Sequence, residues 1–184
     1  MNGGDPSNLT DYGTDNASFT RTGGDSGSGS EVSGSWQILA GAGQEWSITP
    51  TSDAYTMVVC FKMTSAPADT TVLMELDNGT HKAQVQATGD LQTLRLVGTT
   101  SETMTNLDLA QAGAFDAVPI MVRLTLSSTG TATMYCREII EDDAGVTNYV
   151  QVTGATGSSK AIKWGNDSGT IIWNNVYCTT YGAF

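Results

Sequence analysis

Residues 55–63 read Tyr-Thr-Met-Val-Val-Cys-Phe-Lys-Met, and their alternation decides the fold class. Tyr55, Met57, Val59, Phe61 and Met63 fall on one side of an extended chain; Thr56, Val58, Cys60, Lys62 and Thr64 fall on the other. Successive side chains of a strand point to opposite faces, so an apolar set at every second position describes a strand with one face in a core. The same rule turns Ile120, Val122, Leu124 and Leu126 inward in IMVRLTL, with Met121, Arg123 and Thr125 outward. In HKAQVQA it sets Ala83, Val85 and Ala87 against Lys82, Gln84 and Gln86.

Working outward, turn residues punctuate these runs: Asp77-Asn78-Gly79, Thr88-Gly89-Asp90, Ser127-Ser128-Thr129-Gly130 and Asn166-Asp167-Ser168-Gly169. Such clusters join neighbouring strands by short hairpins, which pair antiparallel. A strand about every ten residues exceeds what one open sheet holds and predicts two sheets packed face to face. One stretch, NLDLAQAGAF from Asn106 to Phe115, is expected to form a helical turn or two, with Asn106 as N-cap and Gly113 as stop.

Composition divides the 184 residues into an arm, residues 1–44, and a body, residues 45–184. Glycine crowds the arm, and GGDSGSGSEVSG at 23–34 holds five glycines and four serines. Eight Lys and Arg against nineteen Asp and Glu give a net charge of −11, which lacks the basic footprint of a nucleic-acid binder. Cys60, Cys136 and Cys178 sit in separate strand-like runs with no CxxC spacing, so neither a disulfide framework nor a zinc site is expected. The start, MNGGDPSNLTDYG, has no basic or apolar region of a secretory signal, and no run approaches a membrane span. Sequons at Asn8, Asn16, Asn78 and Asn166 read as polar turn content.

Three segments carry a family resemblance. YTMVVCFKMTSAPADTTVLMEL gives an aromatic-rich strand, a loop and a strand running into a turn; VRLTLSSTGTATMYCREI gives strand, glycine turn and strand ending in Tyr; AIKWGNDSGTIIWNNVYCTTY gives a Trp-Gly, small-loop, strand and aromatic close. Together, over roughly Glu45 to Tyr181, they resemble the laminin G-like, concanavalin A-like jelly roll of lectins and glucanases. The likeness implies an all-β, two-sheet antiparallel sandwich preceded by the extended Gly/Ser-rich arm. Val118-Pro119-Ile120-Met121-Val122 departs from the Trp-His-x-Val usual in that family, and Cys136-Arg137-Glu138 from its Asp-Gly.

Glucanases of this sandwich use Glu-x-Asp-x-Glu, two of whose carboxylates attack and protonate the glycosidic bond. Here Glu75 and Asp77 share a strand face but Gly79 holds the third position, so no catalytic residue is assigned. His81 is the one histidine, stands near no Gly-x-Ser-x-Gly elbow, and is expected to be a strand residue with a satisfied ring. Sugars stack on aromatic rings and are fixed by Asn and Asp on loops, which makes Trp164, Trp173, Asn78, Asn166 and Asp167 the candidates for glycan binding. Trp36 and Trp46 complete the tryptophans, and strand-borne rings serve equally as core anchors. Asp77, Asn78, Asn166 and Asp167 could hold Ca²⁺ only if their turns meet at one end; no metal or other cofactor is assigned.

Residues 1–44 bury too little to offset an ordering cost of roughly 1–2 kcal/mol per residue, so their contacts are expected from outside this chain. Leu9, Tyr12, Phe19, Val32, Trp36, Ile38 and Leu39 are the anchors available for that docking. An acidic sandwich behind such an arm resembles the decoration or accessory proteins of tailed bacteriophages. That resemblance implies a non-enzymatic virion protein made in the host cytoplasm, bridging major capsid or other virion subunits as a homo-oligomer. The alternative is a glycan-binding receptor-recognition module of a tail, fibre or capsid surface.

Overall fold

The computed structural model describes residues 19–22, 29–32, 35–38, 44–50, 52–107, 109–110, 120–138 and 149–179. Every regular element among them is a strand. The first sheet runs β1 (Phe19–Thr22), β4 (Gln44–Ile48), β14 (Lys160–Asn166), β6 (Val72–Asn78), β7 (His81–Ala87), β8 (Leu94–Val97) and β9 (Ser101–Met104), with β13 (Ala155–Thr156) beside β7. The second runs β12 (Tyr149–Thr153), β11 (Thr131–Glu138), β10 (Ile120–Leu126), β5 (Tyr55–Ser65), β15 (Thr170–Thr179), β3 (Ser35–Ile38) and β2 (Gly29–Val32). All pairings are antiparallel, and the all-β two-sheet sandwich of the sequence reading stands.

The period-two alternation is what brings the sheets together. Tyr55, Met57, Val59, Phe61 and Met63 of β5 and Ile120, Val122, Leu124 and Leu126 of β10 are buried. Against them the first sheet sets Met74, Leu76, Val85, Leu96 and Ile162. Each such side chain contributes roughly 1.5–3 kcal/mol on leaving water, so this interdigitated layer is the main cohesive term. Trp164 comes into it from the first sheet and Trp173 from the second, where Trp173 lies 5.3 Å from Phe61 between ring centroids.

Three expected turns join paired strands, β6–β7, β7–β8 and β10–β11. The fourth does not form a hairpin: Asn166-Asp167-Ser168-Gly169 carries the chain from β14 in one sheet to β15 in the other. Gly169 makes that crossing with φ 67°, and a Cβ there would fall 2.5 Å from the Pro67 nitrogen.

Two expectations are corrected. Segments of the arm are strands of this sandwich: β1 pairs β4, while β2 and β3 form a hairpin whose β3 pairs β15. These described segments therefore have backbone partners within the protein's own sheets. Phe19 thus stands opposite Ile48, Val32 opposite Ser35, Trp36 opposite Trp173 and Ile38 opposite Ile171; Leu9, Tyr12 and Leu39 lie outside the described residues. Nor do Asn106, Leu107, Leu109 and Ala110 begin a helix. Asn106 takes φ 61°, and the N–H groups of Leu107 and Leu109 donate to Gln92 and Leu91 carbonyls instead of to one another's turn. The Leu109 carbonyl in turn accepts from Met63 N–H of β5 at 2.8 Å, tying this segment to the second sheet.

Candidate functional site

The outer face of the first sheet carries Glu75 and Asp77, and both are already engaged. Glu75 stands between Lys163 of β14 and Gln84 of β7 in register. It accepts from Gln84 Nε2 at 2.5 Å and lies 3.6 Å from Lys163 Nζ, while Gln84 Oε1 accepts from Gln86 Nε2 at 3.0 Å. Asp77 is only 2% exposed. Its carboxylate accepts from Gly79 N–H at 2.7 Å, from Ser158 N–H at 2.9 Å and from Ser158 Oγ at 3.3 Å. A Cβ on Gly157 would fall 2.5 Å from Asp77 Oδ1, so Gly157 is what lets the loop close over the carboxylate.

The four expected glycan-contacting residues other than Asp167 are interior. Trp164 and Trp173 are each 1% exposed, which corrects their assignment as stacking platforms: their rings are core. Asn166 accepts from Trp173 Nε1 at 2.9 Å and donates through Nδ2 to the carbonyls of Ser168 and Gly169. Asn78 donates to the Asp53 carbonyl at 3.0 Å and accepts from the N–H groups of Thr80 and His81. Both asparagines are turn-builders. Only Asp167 is exposed.

Register also separates the two turns. Lys160, at the start of β14, is opposite Asn78, and Asn166 lies at the strand's other end. Six residues at roughly 3.3 Å each put the turns about 20 Å apart, so a Ca²⁺ site shared between them is excluded. Among the described residues no group of three His, Cys, Asp or Glu is placed to hold a metal. His81 is the expected strand residue, lying against Gly130 of the β10–β11 turn, but its Nδ1 is buried without a hydrogen-bond partner. Cys60 and Cys136 are free and buried; burial pushes both thiols up, that of Cys136 to about 12.

The outer face of the second sheet is differently built. Arg123 of β10 is opposite Tyr135 of β11, which is opposite Tyr149 of the edge strand β12. The guanidinium carbon of Arg123 lies 3.9 Å over the Tyr135 ring centroid, and the Tyr135 and Tyr149 centroids are 5.4 Å apart at 33°. Tyr149 is 58% exposed, the one exposed large hydrophobic residue among those described. Beside this row runs another, Thr56, Thr125, Thr133 and Gln151, in which Gln151 Nε2 donates to Thr133 Oγ1 at 3.0 Å. Thr56 Oγ1 and Arg123 Nε, both on this sheet's outward side, are buried without a hydrogen-bond partner among the described residues. Alternation placed Arg123 outward; nothing in the sequence set it beside two tyrosines from strands 12 and 26 residues further on, because register is fixed by turns and packing.

The fold, so described, is shared by receptor-binding domains of botulinum neurotoxins. The binding domain of neurotoxin DC, solved in complex with SialylT, superposes over 93% of this chain with a TM-score of 0.55 at 10% identity, and 45% of that domain is covered. A structure of neurotoxin type C, whose cell entry depends on interaction with two ganglioside molecules, matches all of this chain with a TM-score of 0.58 at 10% identity. The type G receptor-binding domain matches 91% with a TM-score of 0.56 at 8% identity. The chain spans less than half the length of each of these domains. No protein-family model and no curated protein matches the sequence.

Proposed function

We propose that this chain is a glycan-binding β-sandwich module, and that its binding surface is the outer face of the second sheet around Tyr149. The observation that carries the reading is the Arg123–Tyr135–Tyr149 row, which ends in a ring 58% exposed. An exposed aromatic held by its neighbours offers a flat apolar face at low entropic cost, and sugar rings present a matching C–H face. Gln151 alongside is exposed, held at one end by the buried Thr133 hydroxyl, and supplies the amide group that orients a polyol. Support from likeness is at the level of fold, since sialylated and ganglioside ligands are named for the neurotoxin domains and not for this chain.

The shell-bridging reading rested on an arm held from outside. With β1 and β3 paired into the protein's own sheets, that premise no longer supports it. A glycan array probed with the full chain tests the proposal, with Tyr149→Ala as control. Binding to a defined set of glycans, lost in the variant while its unfolding midpoint is unchanged, is the expected result; an array without a hit, or hits indifferent to Tyr149, refutes it.

A further inference from the structure

Arg123 stands apart from the other described cations with resolved contacts. Arg95 lies 3.2 Å from Asp69, Lys160 2.5 Å from Asp53 and Lys163 3.6 Å from Glu75. In a chain with nineteen acidic and eight basic residues, carboxylates are not in short supply. Yet Arg123 rests on the face of Tyr135, and among the described residues its Nε is buried with no acceptor. The buried Nε is closed to solvent, so an anion would meet the terminal nitrogens of the guanidinium, a planar fork suited to a planar anion. Tyr135 fixes the plane of that fork on one side, which reduces the freedom lost when an anion pairs with it.

We infer that the ligand of this face is an oligosaccharide carrying one anionic group, carboxylate or sulfate, that pairs with Arg123 while a neighbouring sugar ring stacks on Tyr149. The inference rests on the glycan-binding reading above. Arg123 and Tyr149 are two strands apart, about 10 Å between backbones, which exceeds a single sugar ring and calls for an oligosaccharide. The net charge of −11 repels densely charged chains, so the anion is single and the remainder of the ligand neutral.

Direct titration of the full chain tests this with four oligosaccharides of equal length: neutral, terminally carboxylated, singly sulfated and fully sulfated. The carboxylated or the singly sulfated ligand is expected to bind at least tenfold tighter than the neutral one, and the fully sulfated one to bind more weakly than either. Arg123→Gln is expected to erase the preference, bringing neutral and singly charged ligands to the same affinity, and Arg123→Lys, which keeps the charge but loses the fork, to retain part of it. Equal affinity for neutral and singly charged ligands, or a preference that survives Arg123→Gln, overturns the inference and leaves glycan binding standing. Absence of binding by all four overturns the glycan reading and this inference with it.

Discussion

The two outer faces of the sandwich are built from the same alternation and end in opposite states. On the first sheet, Lys163 pairs its charge with Glu75, Gln84 donates to Glu75 and Gln86 to Gln84, and Asp77 beneath its loop accepts from Gly79 and Ser158. On the second, among the described residues, Arg123 has a ring but no anion, and Tyr149 faces water. A face whose polar groups satisfy one another gains little from a ligand; a face with an open ring beside a cation that lacks an anion gains more. The difference separates structural polarity from polarity available for recognition.

The largest break of this contrast is at Asp77. Replacement by Ala removes one acceptor group from Gly79 and Ser158 within a closed site, and we expect a loss of about 2–4 kcal/mol in urea unfolding with glycan affinity of the folded fraction unchanged. Next is Tyr55, whose hydroxyl donates to the Ser52 carbonyl at the same end of the sandwich. Burial foremost, then the charges of Asp53 and Asp77, push its phenol from 10.0 up to about 12. The folded state therefore favours neutral tyrosine; this contribution is fully present below pH 10 and is lost as pH rises through about 12. Alkaline unfolding followed by tyrosinate absorbance should show that loss, and Tyr55→Phe should flatten it. An unfolding midpoint already falling at pH 8–9 in the wild type and not in the Tyr55→Phe variant contradicts the assignment.

Tyr149→Ala tests the other face with a smaller effect. Truncating a half-exposed edge residue should move the unfolding midpoint by less than about 0.5 kcal/mol. Loss of the stacking ring should weaken glycan binding at least tenfold, about 1.4 kcal/mol. A comparable loss of stability would make Tyr149 a packing residue and remove the contrast from that side.

How far the residues alone reach is visible in β5 and Trp173. The inward set of β5 was readable because period two depends only on the chain's own geometry. Trp173 was not, since a tryptophan on a strand looks the same whether its ring meets a sugar or Phe61, and only the packing of the second sheet decides. The arm misled for a related reason. Its glycines and serines forecast no core, but a strand such as β3 can be held through backbone hydrogen bonds to β15, to which composition is indifferent. The Arg123–Tyr135–Tyr149 row is a product of register across three strands, and register is the least local property of a sheet.

The smallest expected effect belongs to Glu75→Gln. The amide keeps an oxygen for Gln84 Nε2 and forfeits only attraction to Lys163 Nζ at 3.6 Å, a pair whose lysine is 34% exposed. Partly solvated pairs of this kind contribute about 0–1 kcal/mol, so the urea midpoint should scarcely move. Affinity for any glycan should not move at all, because this row lies across the core from Tyr149 and its groups bond one another. Were Glu75→Gln to weaken binding as much as Tyr149→Ala does, the satisfied face would be the recognition surface, and mutual pairing along Lys163, Glu75, Gln84 and Gln86 would have to be read as preorganisation for a ligand instead of as its absence.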